Sequence, residues 1–266
     1  FGGLVYGLSL FEGGDLRVAS AITAGGLALI AVFVLRQLRL QRRGAPLLDL
    51  RTLRHRPYAI GLVMLSVAFM AMLGTMVLLP LYLQNLRALS PLATGLLVMP
   101  GGLAMGLLGP VVGRLYDRYG GRVLIIPGAA GITLALAGFT QVTLATPYWV
   151  LLALHMLLSL CLAATFTPVF TIALGAVPSS LYSHASSILN TLQQVSGAFG
   201  TALVVTVMSM RADALRSSGV ADALAALGGM RLAFIVGAVL SLIVIATALF
   251  MPARSENAGD HVGAMH

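Results

Sequence analysis

Long apolar runs, separated by single charges or short charged clusters, dominate the pattern of this chain. Four runs between arginines contain no Asp, Glu, Lys or Arg: 18–35, 57–86, 88–113 and 232–253. A fifth uncharged stretch, 123–210, is divided by the turn-forming sequences ATPYW and GAVPSSLYSH. The pattern predicts seven long helices after the end of a truncated transmembrane helix at 1–10. Their predicted bounds are 18–38, 57–85, 92–113, 122–143, 148–174, 186–210 and 230–251.

Each predicted helix is long enough to cross a lipid bilayer, which takes about 20 apolar residues at a rise of about 1.5 Å per residue. The composition agrees, because 59% of the residues are hydrophobic and 9% are charged, with a mean hydropathy of +0.97. Soluble domains carry about 25% charged residues. The runs are continuous and lack the alternation of a transmembrane β-strand. The sequence therefore predicts an all-α polytopic membrane protein.

The arginines predict the orientation of these helices. Cytoplasmic connections carry an excess of basic residues, and the 36–56 connector holds seven of the sixteen basic residues, all of them arginine. With this connector in the cytoplasm, alternation of the spans places eleven arginines inside and five outside. The C-terminal tail, 252–266, then lies in the cytoplasm, and its polar composition predicts disorder. The stretch LLDLRTLRHR at 47–56 is predicted to lie along the membrane surface, as an anchor or as a regulatory site.

Several classes of function are disfavoured by what the sequence lacks. Its net charge is +8, but no basic stripe interleaved with aromatic residues predicts nucleic-acid binding. One cysteine, Cys161, allows no internal disulfide, and no Cys/His set has metal-ligand spacing. No nucleophile–base pair or pair of carboxylates predicts an enzyme. We therefore expect no catalytic residues, no metal and no cofactor. All eight carboxylates fall in predicted loops, turns or the tail: Glu12, Asp15, Asp49, Asp117, Asp213, Asp222, Glu256 and Asp260.

Charge and glycine concentrate in the predicted turn GRLYDRYGGR at 113–122. Asp117 can lie near the positive end of the following helix or pair with an arginine such as Arg118 or Arg122. Gly113 allows a close backbone approach, while Gly120 and Gly121 allow a tight turn with positive φ. The segment can serve as a conformational latch, or its arginines can simply set the topology. In the preceding helix, the glycine pairs 102/106 and 109/113 predict close helix packing.

Three groups of polar residues in the predicted spans are candidates for a substrate cavity, because polar groups in lipid usually face a protein interior or water. Each also has a simpler interpretation: interhelical hydrogen bonding, a position among the outer headgroups, or a hydrated interface. The first group lies on the 186–210 helix, the second ends the 57–85 helix, and the third is a single histidine. The first group is Asn190, Gln193 and Gln194, the second is Gln84 and Asn85, and the third is His155.

The 113–122 segment resembles a signature of the major facilitator superfamily that joins the second and third helices of a half. Four stretches in this order resemble drug:proton antiporters with fourteen spans, the EmrB/QacA type, and most closely their lincomycin-resistance subgroup: PLLDLRTLRHRPYA, LLPLYLQNLRALSPLATGLLVMPGG, GRLYDRYGGR and SILNTLQQVSGAFGTAL. The resemblance implies that the chain is a C-terminal half, with the end of span 7 followed by spans 8 to 14.

The resemblance also implies a function: proton-coupled export of drugs across a bacterial plasma membrane by alternating access. The expected partners are small amphipathic substrates, the bilayer and the missing N-terminal half, and the energy source is a proton gradient. No carboxylate is predicted in mid-membrane here, so the coupling carboxylate is expected in that missing half. Two alternatives remain open: transport of one specific metabolite, and a scaffold that does not transport.

Overall fold

The computed structural model describes residues 2–9, 16–41 and 48–253. This part of the chain is helical and contains no β-strand, and seven of its helices are long and apolar enough to cross a membrane. The predicted all-α fold is confirmed. Its α-helices are α1 (Gly2–Ser9), α2 (Leu16–Gln41), α3 (Arg56–Leu81), α4 (Pro91–Tyr119), α5 (Arg122–Phe139), α6 (Tyr148–Gly175), α7 (Tyr182–Ser217) and α8 (Asp222–Phe250).

Short elements join these helices. A 3₁₀ helix, Leu50–Arg54, precedes α3, and another, Ser179–Leu181, precedes α7, while a π-helical turn, Tyr82–Leu86, continues α3. Most of the predicted tail, 254–266, lies outside the described residues, as do 42–47 of the predicted connector.

Three helices run well past their predicted ends. α4 continues to Tyr119 instead of ending at 113, α7 reaches Ser217 instead of 210, and α8 begins at Asp222 instead of 230. The prediction used charged residues as helix boundaries, but charges limit only the apolar part of a helix. α5 deviates in the other direction and ends at Phe139 instead of 143. The Thr140 hydroxyl after it donates to the Ala137 carbonyl of its last turn.

Helices α3 to α8 form a bundle in which α3 packs on α6, α7 and α8, and α5 packs on α6 and α8. The neighbours follow a two-fold pattern: α3–α7 corresponds to α4–α6, and α3–α8 to α5–α6. This pattern is that of two three-helix repeats of opposite direction, α3–α5 and α6–α8. The pairing departs from it at α4–α5, which touch little, whereas α7–α8 contact extensively. Helix α2 packs mainly on α1, which also touches α7.

Small residues and aromatic rings set the helix crossings. At Gly200 of α7, an added Cβ would lie 2.7 Å from the Cα atom of Met70 in α3, so only glycine allows this approach. Between α5 and α8, the rings of Phe139 and Phe234 stack with their centroids 5.0 Å apart. The buried core extends through all six helices of the bundle.

At one end of the bundle, side chains donate hydrogen bonds to backbone carbonyls and so connect neighbouring elements. There the 140–147 loop accepts hydrogen bonds from the π-helical turn after α3, from the residue that follows this turn, and from α8. Tyr82 Oη donates to the Thr143 carbonyl at 2.6 Å, and Arg231 Nε donates to the Val142 carbonyl at 2.7 Å. Arg87 donates to the Thr146 carbonyl. We call these three bonds the outer clamp, because the orientation predicted from the arginines places this end outside.

Candidate functional site

Helix α7 carries a polar face that no other described helix covers. The side chains of Ser187, Asn190, Thr191 and Gln194 are exposed along one side of the helix, at spacings of three and four residues. Further along the helix, α7 packs on α3, which lies against Gly197 and Gly200. Exposed amides and hydroxyls along a membrane helix require water or another polar surface beside them. This face is therefore the strongest candidate for the wall of a substrate cavity.

The structure separates the three residues that sequence reasoning grouped on this helix. Asn190 and Gln194 share the exposed face, whereas Gln193 is only 7% exposed and lies on the buried side. Thr191 belongs to the exposed face, and sequence reasoning missed it. Helical spacing alone could not have separated Thr191 from Gln193, because each is one position from one of Asn190 and Gln194 and three positions from the other.

The second predicted group lies in the π-helical turn at the end of α3. Tyr82 and Leu83 are buried there, whereas Gln84 and Asn85 are exposed. Asn85 lines a cavity of about 470 Å³ together with Arg216 and Asp222. Arg216 forms ion pairs with Asp213 at 2.7 Å and with Asp222 at 3.1 Å. The cavity therefore has a charged mouth, and Asn85 contributes one of its polar groups.

His155 lies at the contact between α6 and α4. Its Nε2 atom is 3.2 Å from the Val98 carbonyl of α4, and its ring lies against Gly101, where an added Cβ would be 2.7 Å away. The Nδ1 atom is buried and has no hydrogen-bond partner in the described part of the chain. This position makes His155 an interhelical contact with one unsatisfied nitrogen.

These groups do not form a single site. The cavity beside Asn85 includes Ser209 of α7, which is fifteen residues beyond Gln194, or about 22 Å along a helix. His155 lies about 10 Å from the start of α6 and contacts α4 instead of α7. The polar face of α7 and the Gln84–Asn85 pair are thus separate candidates, each with two of the predicted residues.

The predicted latch segment, 113–122, is mostly helical. Gly113, Asp117 and Arg118 lie in the last turns of α4, with Asp117 and Arg118 exposed. Gly120 has φ +81°, as predicted, but Gly121 has φ −70°. Gly121 packs closely on α6 instead, because an added Cβ would lie 2.6 Å from the end of the Ile172 side chain, Cδ1.

This short turn docks on the end of α8. The Gly121 amide donates to the Ala253 carbonyl at 2.6 Å, and Arg122 donates to the Leu249 carbonyl at 2.7 Å. Both acceptors are backbone atoms, so the sequence carries no signal for this contact. The two bonds connect the α4–α5 turn to the last residues of the bundle.

The glycines of α4 are not packed as predicted. Gly102, Gly106, Gly109 and Gly113 have no atom of another described element within 4 Å of an added Cβ, and the same holds for Gly95. Only Gly101, on another side of the helix, meets a neighbour, in α6. The predicted close packing at 102/106 and 109/113 is therefore absent from the described part of the chain, and these glycines form a second uncovered face.

Metal binding has no support in this part of the molecule. The described residues contain no group of three or more His, Cys, Asp or Glu side chains that could hold a metal ion.

Comparisons with known proteins add to this geometry. A family model described as Major Facilitator Superfamily matches residues 1–201. The chain is 38% identical over 259 residues to the lincomycin resistance protein LmrB of Listeria innocua, covering 94% of this chain and 54% of that protein. It is 31% identical over 212 residues to the multidrug resistance protein Stp of Mycobacterium tuberculosis, covering 78% and 38%. It is 27% identical over 195 residues to the riboflavin transporter RibZ of Clostridioides difficile, covering 73% and 42%. The chain thus spans about half the length of the first of these relatives.

Proposed function

This chain belongs to the major facilitator superfamily, and we propose that it is one half of a secondary transporter that exports amphipathic drugs or antibiotics in exchange for protons. The observation that carries the proposal is the uncovered polar face of α7, with Asn190, Thr191 and Gln194 exposed in an otherwise apolar bundle. Similarity to proteins named for lincomycin resistance and multidrug resistance supports drugs as the substrates.

The proposed transport cycle is alternating access, in which two halves rock about a cavity near the middle of the membrane. The polar face of α7 and the uncovered glycine face of α4 line the surface that this half presents to the other. Amides can donate and accept hydrogen bonds, which suits varied uncharged or cationic substrates. The 113–122 segment, docked on the end of α8, stabilises one of the two arrangements of the halves.

We place the coupling carboxylate in the other half. The Asp and Glu residues of the described chain lie at helix ends or outside the spans: Asp49, Asp117, Asp213 and Asp222. None of these described carboxylates lies in the middle of a span, where proton exchange with a substrate would take place. The arginine distribution supports a bacterial plasma membrane orientation with the C-terminus in the cytoplasm.

Transport by the full-length protein tests the proposal. Reconstituted in liposomes with an imposed pH gradient, it is expected to move lincomycin or another amphipathic drug against its gradient, and to stop when the gradient is collapsed. Replacing both Asn190 and Gln194 with leucine removes two hydrogen-bonding groups, which we expect to lower transport about tenfold. Gln141→Leu is the matched control, because Gln141 is exposed in the 140–147 loop, away from α7.

Two results would contradict the proposal. The exporter role fails if no candidate drug moves and loss of the protein changes no drug susceptibility. Normal transport by the double leucine variant would remove the α7 face from the cavity.

The second candidate function is transport of one specific metabolite by the same fold. The similarity to a protein named as a riboflavin transporter favours it. A substrate screen separates the two, because a specific transporter responds to one class of compound only, whereas a drug exporter moves several unrelated amphipathic molecules.

A further inference from the structure

A large cavity opens at the end of the bundle opposite the outer clamp, where three helices meet. It has a volume of about 800 Å³ and is bordered by the start of α3, the start of α5 and the end of α8. The 3₁₀ helix before α3 contributes Leu53 to its rim. The orientation predicted from the arginines places this cavity at the cytoplasmic surface of the membrane.

The charge of this cavity has one sign. Arg56 of α3 and Arg122 of α5 are the charged residues that line it, and its described lining contains no Asp or Glu. Arg122 is held in place by its bond to the Leu249 carbonyl, 2.7 Å long, and keeps further N–H donors. The Arg56 guanidinium makes no hydrogen bond or ion pair to another described residue. Two exposed guanidinium groups at one cavity therefore attract an anion, and Arg groups match the oxygens of a phosphate.

Below the two arginines the cavity becomes apolar. Pro57, Ile60 and Phe250 line it, and Phe250 is 74% exposed. Exposed apolar side chains continue from it along the outside of both neighbouring helices, with Val63 on α3 and Ile243 on α8. A soluble anion would gain nothing from this surface, whereas an acyl chain would cover it. A cationic end joined to an apolar track is complementary to a lipid with an anionic headgroup.

We propose that this cavity, the Arg56–Arg122 pocket, binds an anionic phospholipid of the cytoplasmic leaflet. The lipid phosphate lies between the two guanidinium groups, and an acyl chain follows the apolar track between α3 and α8. Basic pockets between transmembrane helices on the cytoplasmic side suit such headgroups. The bound lipid would connect the beginnings of α3 and α5 to the end of α8, which also receives the α4–α5 turn. This inference rests on membrane embedding and not on the proposed transport activity.

Lipid binding by the purified full-length protein tests the proposal. Native mass spectrometry in detergent would compare phosphatidylglycerol with phosphatidylethanolamine, which has a phosphate but no net charge. We expect the wild-type protein to prefer phosphatidylglycerol. Arg56→Gln and Arg122→Gln should each weaken its binding about fivefold, with a larger loss for the double variant. Arg56→Lys, which keeps the charge, should retain most of the binding.

The matched control is Arg114→Gln. Arg114 is an exposed arginine near the end of α4 that bonds, among the described residues, only to the Pro110 carbonyl of its own helix, and it does not line the pocket. Because Arg56 makes no bond to another described side chain, Arg56→Gln should remain folded, and its thermal unfolding curve would verify this.

Three outcomes would overturn the proposal. The first is equal binding of the two lipids. The second is a loss of phosphatidylglycerol binding by Arg114→Gln that is as large as the loss by Arg56→Gln. The third is displacement of the lipid by millimolar inorganic phosphate, which would assign the arginines to a free phosphate instead. None of these outcomes depends on whether the protein transports a drug, so failure here is distinguishable from failure of the proposed function.

Discussion

At the scale of single residues, glycine has opposite effects at different points of the bundle. An added Cβ at Gly200 would meet the Cα and carbonyl oxygen of Met70 at 2.7 and 2.9 Å, and these backbone atoms cannot move aside by rotation. The nearest atoms to a Cβ at Gly237 are those of Leu136, at 4.0 Å. Both glycines lie in long helices, α7 and α8, so the two form a matched pair.

We expect Gly200→Ala to lower the stability of the bundle by about 1–3 kcal/mol, the usual cost of overpacking. Gly237→Ala should leave stability unchanged or raise it, because alanine is the better helix former by about 1 kcal/mol. Thermal unfolding of the two purified full-length variants in detergent measures the difference. A lower unfolding temperature for Gly237→Ala than for Gly200→Ala would show that the helix contact described here is wrong.

Single residues also show the limit of sequence reasoning. Helical spacing correctly places Asn190 and Gln194 on one side of α7, but it does not reveal which side packs on α3, so Gln193 could not be separated from them. The same limit explains the glycines of α4. Their spacing allows a close helix contact, yet no described helix packs against them, and among the described α4 glycines only Gly101 meets α6.

At the scale of elements, the outer clamp joins the 140–147 loop to α8 and to the π-helical turn and Arg87 that follow α3. Tyr82 is 1% exposed, and its hydroxyl donates to the Thr143 carbonyl. Tyr82→Phe removes this bond and leaves a carbonyl short of one donor, which we expect to cost about 1–3 kcal/mol. Tyr148→Phe is the control, because Tyr148 is exposed at the start of α6.

Thermal unfolding of the full-length protein checks the clamp, with Tyr148→Phe expected to match the wild type. Equal unfolding temperatures for the two variants would mean that the Tyr82 bond of the clamp contributes nothing to stability.

The order of the helices could be predicted from the sequence far better than the residues at which they end or the hydrogen bonds that connect them. Uncharged runs identify each span because charges are costly in lipid, and the resemblance to the lincomycin-resistance subgroup is confirmed by the comparisons. Arg231 shows why the ends were missed: it was treated as a boundary, but it lies inside α8 and donates to Val142. Bonds of this kind end on backbone carbonyls, which every residue possesses, so no sequence pattern indicates them.

At the scale of the whole molecule, the two repeats place the uncovered faces on corresponding helices. α4 is the second helix of the first repeat and α7 is the second helix of the other, and each has one face that no described helix covers. The face on α4 is lined by glycines and the face on α7 by amides and hydroxyls. In the proposed transporter both turn towards the second half, so one surface combines close packing with hydrogen-bonding capacity.

The orientation of the whole bundle is the last prediction. Hydrogen bonds place the 140–147 loop at one end and the 176–181 connection at the opposite end of α6. If the arginine-rich connector is cytoplasmic, a membrane-impermeant thiol reagent added to intact cells should label Ala145→Cys and Ser218→Cys but not Ser180→Cys. All three positions are exposed, so disrupting the cells should make Ser180→Cys reactive. The variants are made in a full-length protein lacking other cysteines, which requires Cys161→Ser. Labelling of Ser180→Cys in intact cells, with Ala145→Cys protected, would reverse the bundle and place the Arg56–Arg122 pocket on the outer surface.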